Sequence, residues 1–162
     1  MPRRTDLPDA PWITAEGYLD VTKFPIDDIL RQAVSGDPEE SRNAVAMLDS
    51  MARRKRREAG IFLLGLLSDL PPDALEDRLH VVEALGHFET ESSAAALFGE
   101  LRRVKSSNTT RRYLDAVLAS ICMLPAGLVL GGLEALADDT TFSYRMRAKF
   151  REAIWRLREP RA

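Results

Sequence analysis

Residues 63–86 read LLGLLSDLPPDALEDRLHVVEALG. Leu63, Leu67 and Leu70 stand at x, x+4 and x+7, and Val81, Leu85 and Phe88 repeat that spacing. Each trio therefore lies along one face of an α-helix. Pro71-Pro72 separates them, because proline has no N–H and disfavours helical backbone in the residue before it. Asp73 can open the second helix. Two short one-sided helices cannot bury their apolar faces by themselves, so this stretch requires neighbours of the same kind.

Those neighbours lie on both sides. The first trio recurs as Ile26, Leu30, Ala33; Leu97, Leu101, Val104; and Val129, Leu133, Leu136. The second recurs as Ala44, Leu48, Met51; Leu114, Leu118, Ile121; and Phe150, Ile154, Leu157. The two kinds alternate strictly, 18, 18, 17 and 21 residues apart within a pair, and pairs recur after 37, 34 and 32 residues. A period near 35 with two helices per unit marks stacked helical repeats. Gly60, Ala94 and Ala126 stand three before a first trio, where a small residue allows close helix approach. Ser41, Arg78, Arg111 and Arg147 stand three before the second trios. Helix starts are predicted at Pro25, at Asp37-Pro38-Glu39-Glu40, and at Thr90, Asn108 and Thr140 or Thr141; stops fall at Gly36, Pro71 and Pro125.

The stretch from Leu63 to Asp69 followed by Glu76 to Gly86 resembles a HEAT repeat, and so does the unit from Gly132 to Asp139 with Arg145 or Arg147 and Ala153-Ile154. The resemblance covers about residues 25–158. It implies an all-α fold, a right-handed α-solenoid of about four HEAT-like helix pairs. It also implies a ladder in which an Asp closing each inter-helix turn meets an Arg on the second helix of a neighbouring unit. Asp69, Asp138 or Asp139 match that Asp; Arg78, Arg111 and Arg147 match that Arg. The third unit has Asn108 in place of the Asp, and the first has no clear Arg. Residues 1–24, with prolines at 2, 8 and 11 and Pro25 just after them, read as an extended N-terminal arm whose Trp12, Tyr18 and Phe24 are expected to dock on the helices. Residues 159–162 form a C-terminal tail.

Composition narrows the function. A chain of 162 residues with 45% hydrophobic side chains suits one folded domain. A single cysteine, Cys122, cannot make an intrachain disulfide or a cysteine-based zinc site, so a reducing, cytoplasmic setting is expected. Met1 to Asp6 precedes no apolar run, and the apolar stretches at 61–67 and 121–133 are too short or too interrupted to span a membrane. Charge is uneven: residues 1–100 carry 11 basic and 19 acidic side chains, residues 101–162 carry 12 and 6. The chain thus has an acidic half at −8 and a basic half at +6.

No catalytic constellation stands out. His80 and His87 share a helix face without a third ligand, so no metal site is assigned. Cys122 adjoins the core register and reads as a small buried hydrophobe. Gly127, Gly131 and Gly132 do not match a phosphate loop, and no cofactor is expected. The remaining carboxylates read as solvated helix-surface charge.

Binding surfaces are more informative. In the family resembled, second helices line the concave side, which makes Arg112, Tyr113, Lys149, Arg151, Trp155 and Arg156 partner-binding candidates. Trp155 holds the register of Asp49, Gly86 and Ala119, and reads either as a binding anchor or as a seal over the last unit. Arg53 to Arg57 can hold phosphate or form a solvated link between units. The leading expectation is a non-enzymatic scaffold that binds a protein or peptide. The alternative is nucleic-acid binding through the basic half, with Arg111, Arg145 and Arg147 added to the candidates. A further alternative, implied by the resemblance alone, is a HEAT-like accessory lyase that helps attach bilin chromophores.

Overall fold

The computed structural model describes residues 14–16, 18, 20, 23, 25–54 and 56–159. Among them the chain is all-α, with eight helices and no strand. They are α1 (Ile26–Ala33), α2 (Pro38–Arg53), α3 (Arg57–Asp69), α4 (Leu75–Leu85), α5 (Glu91–Arg103), α6 (Arg111–Met123), α7 (Ala126–Asp138) and α8 (Tyr144–Arg158). None is long and apolar enough to cross a membrane.

Local chemistry sets most of the ends. Gly36 takes φ 80° between α1 and α2, a conformation that strains any side chain. Asp37 caps α2 by accepting the Glu39 N–H at 2.9 Å, with Pro38 in the first position. Thr90 caps α5 through the Ser93 N–H at 3.1 Å. Three predicted starts move. Helix α4 opens at Leu75 rather than on Asp73. Helix α6 opens at Arg111, since Thr110 already donates to the Lys105 carbonyl at 2.7 Å in the preceding loop. Helix α8 opens on Ser143, because Thr141 is held by Asp139 through its N–H at 2.9 Å and its hydroxyl at 2.6 Å.

Packing follows chain order. Helix α1 packs on α2, α3 on α4, α5 on α6 and α7 on α8. The second members of these pairs also touch in sequence, α2 on α4 and α4 on α6, and the first members do the same, α3 on α5 and α5 on α7. The run is missing at two places: α1 and α3, and α6 and α8, make at most slight contact. One hydrophobic cluster runs from Ile29 to Ile154, with Leu48, Met51, Leu63, Leu85, Leu97, Leu101, Ile121, Leu133, Leu136 and Phe150 at its centre. Each such side chain contributes roughly 1.5–3 kcal/mol by leaving water. Truncating Leu85 to Ala would cost about 2–5 kcal/mol. In α6 the buried face includes Val117, while Leu118 is only half-buried, turned toward the gap beside α8.

The arm departs from expectation where it is described. The Thr14 N–H bonds the Tyr18 carbonyl at 2.8 Å and the Tyr18 N–H bonds the Thr14 hydroxyl at 3.1 Å. This local turn leaves the Tyr18 ring 72% exposed rather than docked. Trp12, Phe24 and residues 160–162 lie outside the described residues.

Candidate functional site

The inner faces of α2, α4 and α6 form a groove of about 480 Å³. Its floor is small and apolar, with Ala46, Ala84, Ala116 and Ala119, and Met123 stands beside it 57% exposed. Its walls carry both signs of charge, Arg42 and Arg53 against Asp49 and Glu83, and include the two histidines. Asp49 organises one wall. It meets Nδ1 of His87 at 2.8 Å and Arg53 at 3.1 Å, so α2 is tied to the turn after α4. His80 is half-buried in the groove.

A second cleft of about 650 Å³ lies between α6 and α8 and shares Ala119 with the groove. Leu118, Cys122, Ala153 and Leu157 give it an apolar floor; Asp115, Lys149, Glu152 and Arg156 form its rim. Lys149 bridges to Asp115 across the gap at 2.6 Å, and Arg156 pairs with Glu152 along α8. Burial pushes the Cys122 thiol up, against a smaller opposing pull from Arg156.

Behind these surfaces lies a buried ionic network that the spacing of trios does not suggest. The Arg78 guanidinium grips Glu100 with two bonds, at 2.6 and 3.2 Å, and donates a third to the Leu70 carbonyl at 2.9 Å. Arg103 donates to the same carboxylate at 2.7 and 3.1 Å, and the Tyr113 hydroxyl donates at 2.5 Å. Burial alone would push the Glu100 carboxyl up; the bonds from Arg103, Arg78 and Tyr113 outweigh it and hold the pKa at about 2. Burial and the bond to Glu100 push the Tyr113 phenol up. The network locks α4, α5 and α6 together. Its sequence sign is Glu100 itself, an acid at the x+3 position of a first helix, where other units have Ile29, Leu66 and Gly132. Not every carboxylate of the chain is solvated surface charge.

The candidates from sequence divide. Lys149 and Arg156 line the α6–α8 cleft. Arg112 is exposed on α6, 3.6 Å from Glu76. Tyr113 is 3% exposed and committed to Glu100, so it presents no contact surface. Arg151 and Trp155 sit on the opposite side of α8, beside Glu134, Ala137, Asp138 and Arg158. Trp155 is 60% exposed there.

The ladder is likewise rearranged among the described residues. Arg78 meets Glu100 instead of an Asp, because Glu100 from α5 occupies the space beside it. Asp69 is exposed. Asp139 does meet a neighbouring unit, but through Arg102 of α5 at 3.2 Å. Asp138 is exposed, Arg111 bonds Asn108 at 3.1 Å, and Nε of Arg147 is buried without a partner. No group of three or more potential metal ligands occurs among the described residues.

Comparison with protein-family models, with curated proteins and with solved structures gives no match.

Proposed function

We propose that the four helix pairs form a short right-handed solenoid of the HEAT type, and that the chain is a non-enzymatic scaffold holding a protein or peptide along its second helices. The order of helix contacts supports the stacked arrangement, since like helices touch at the α2–α4, α4–α6, α3–α5 and α5–α7 junctions. The observation that carries the functional reading is the trough made by two adjacent clefts that share Ala119, apolar along its floor and lined by both signs of charge at its rim. An apolar floor rewards burial of small side chains; a mixed rim rewards a partner with charges of both signs and fixes its register. The reading favours protein over nucleic acid because the basic candidates do not form an open stripe. Lys149 is bound to Asp115, Arg111 to Asn108 and Arg151 to the Ala137 carbonyl, and Tyr113 is buried away from any base.

Ala119 is exposed and lines both parts of the trough, so Ala119→Trp fills it without touching the core. In a pull-down from native lysate, the wild-type chain is expected to retain a specific protein that Ala119→Trp loses. Retention of nucleic acid that falls steeply with salt would overturn the scaffold reading.

A further inference from the structure

A small cavity between α6 and α8 gathers basic side chains from both helices. Its lining includes Ser106 of the α5–α6 loop, Arg111 and Asp115 of α6, Ser143 at the cap of α8, and Arg145 and Lys149 of α8. Against three cations it sets one carboxylate, an excess of two positive charges. Lys149 holds that carboxylate at 2.6 Å, while Arg111 bonds the neutral amide of Asn108 at 3.1 Å. An ammonium has three donors, so Lys149 can keep Asp115 and still donate into the cavity. The Ser143 hydroxyl accepts the Met146 N–H at 3.2 Å, which leaves its own O–H to donate. The local charge pattern reverses that of the earlier helices. Each of α1 to α5 carries an acid in its first turn; α6 and α8 carry none there, and hold Arg111, Arg112, Arg145 and Arg147 instead. Crowding of like charge costs stability, and an anion entering the cavity relieves it.

We propose that this cavity receives a phosphate group carried on a serine or threonine of a protein partner, whose flanking chain lies in the α6–α8 cleft. Charge selects phosphate over carboxylate. At neutral pH a phosphomonoester carries about −1.5 to −2 and offers three acceptor oxygens, which answers the excess of two; a carboxylate carries half that charge. Two arginine forks suit those oxygens. Size limits what enters: the cavity measures about 40 Å³, against a share of roughly 30 Å³ for one water, so a compact head group enters and the rest of the ligand stays outside. That remainder meets the α6–α8 cleft, which shares Asp115 and Lys149 with the cavity. The cleft has an aliphatic floor and no aromatic ring in its lining on which a base could stack, so it suits a peptide better than a nucleotide. The placing of the flanking chain rests on the trough reading; the phosphate site does not.

The probes are inorganic phosphate, N-acetyl-phosphoserine methylamide, and a heptapeptide with phosphoserine at its centre and alanine and leucine on both sides. Their unphosphorylated forms and a terminally phosphorylated pentathymidylate complete the set. NMR titration of the isotopically labelled full chain should show saturable shifts at Ser106, Arg111 and Arg145 with each phosphoserine probe. Affinity should fall at least roughly tenfold when the phosphate is removed, and in Arg145→Ala or Arg111→Ala. Lys105→Ala, exposed beside Ser106 but outside the cavity lining, should change it by less than about threefold. The heptapeptide should bind at least roughly tenfold more tightly than the phosphoserine amide, as its flanks add buried area. Ala119→Trp should remove that gain and leave the phosphoserine amide unaffected, so failure of the trough reading and failure of the phosphate site are distinguishable. Arg111 and Arg145 are exposed, and the amide spectrum of each variant shows directly that it is folded. Absence of saturable shifts, equal affinity with and without phosphate, or undiminished binding by folded Arg145→Ala and Arg111→Ala would overturn the proposal. Inorganic phosphate or the pentathymidylate binding as tightly as the heptapeptide would overturn the assignment to a protein partner.

Discussion

Two junctions between successive second helices differ sharply. Where α4 meets α6, the helices come so close that a Cβ on Gly86 would lie 3.1 Å from Ser120, tighter than ordinary contact, and the Glu100 network pins both helices to α5. Where α6 meets α8, a cleft of about 650 Å³ intervenes, crossed by the Lys149–Asp115 pair at 2.6 Å. The same class of amphipathic helix thus serves as mortar at one junction and as the wall of a trough at the next. What separates them is side-chain size and buried charge, not the helical pattern.

The largest effect expected from breaking this contrast is at Glu100. Glu100→Ala leaves Arg78, which is 5% exposed, with an uncompensated charge, and should destabilise the fold by about 3–5 kcal/mol in urea unfolding. The same carboxylate makes stability depend on pH. Its folded pKa of about 2 lies below the ordinary 4.5, so its contribution is fully present above about 4.5 and is lost as pH falls toward 2. The loss should be of order 3 kcal/mol, and Glu100→Gln should flatten that part of the stability–pH curve.

Next in size is a pair of substitutions at one register. Gly86→Leu forces a side chain against the Ser120 backbone and should cost about 1–3 kcal/mol. Ala119→Leu, at the equivalent place on α6, enters open space and should stay within about 0.5 kcal/mol of wild type. Equal losses at the two positions would mean that the junctions do not differ as described. The smallest effect is at the bridge across the cleft: Lys149→Ala should change stability by less than about 1 kcal/mol, because both partners are partly exposed.

The helices were legible in the sequence because each trio encodes a period of 3.6, and alternation of trios along the chain encodes the pairing. Asp37 and Thr90 were legible as caps because a cap is settled within three residues. Glu100 was not, since apart from Arg103 its partners lie 22 residues before it and 13 after it, and only the folded chain brings them together. Tyr113 was misplaced for the same reason: its register on α6 looks outward until Glu100 draws the hydroxyl inside. The division of Lys149 and Arg156 from Arg151 and Trp155 depends on how α8 is turned toward α6 and α7. That is a tertiary property that no local spacing carries.

The opening between α6 and α8 is the feature on which the trough depends, and the chain's single thiol sits in it. The decisive measurement is the rate at which a small maleimide labels Cys122 as urea is raised through the range where the chain stays folded. An open cleft predicts a rate that is flat in low urea, because the thiol is reached without unfolding. A rate that instead climbs with urea along the slope of global unfolding would mean that α6 and α8 are closed on each other, and the trough would not exist.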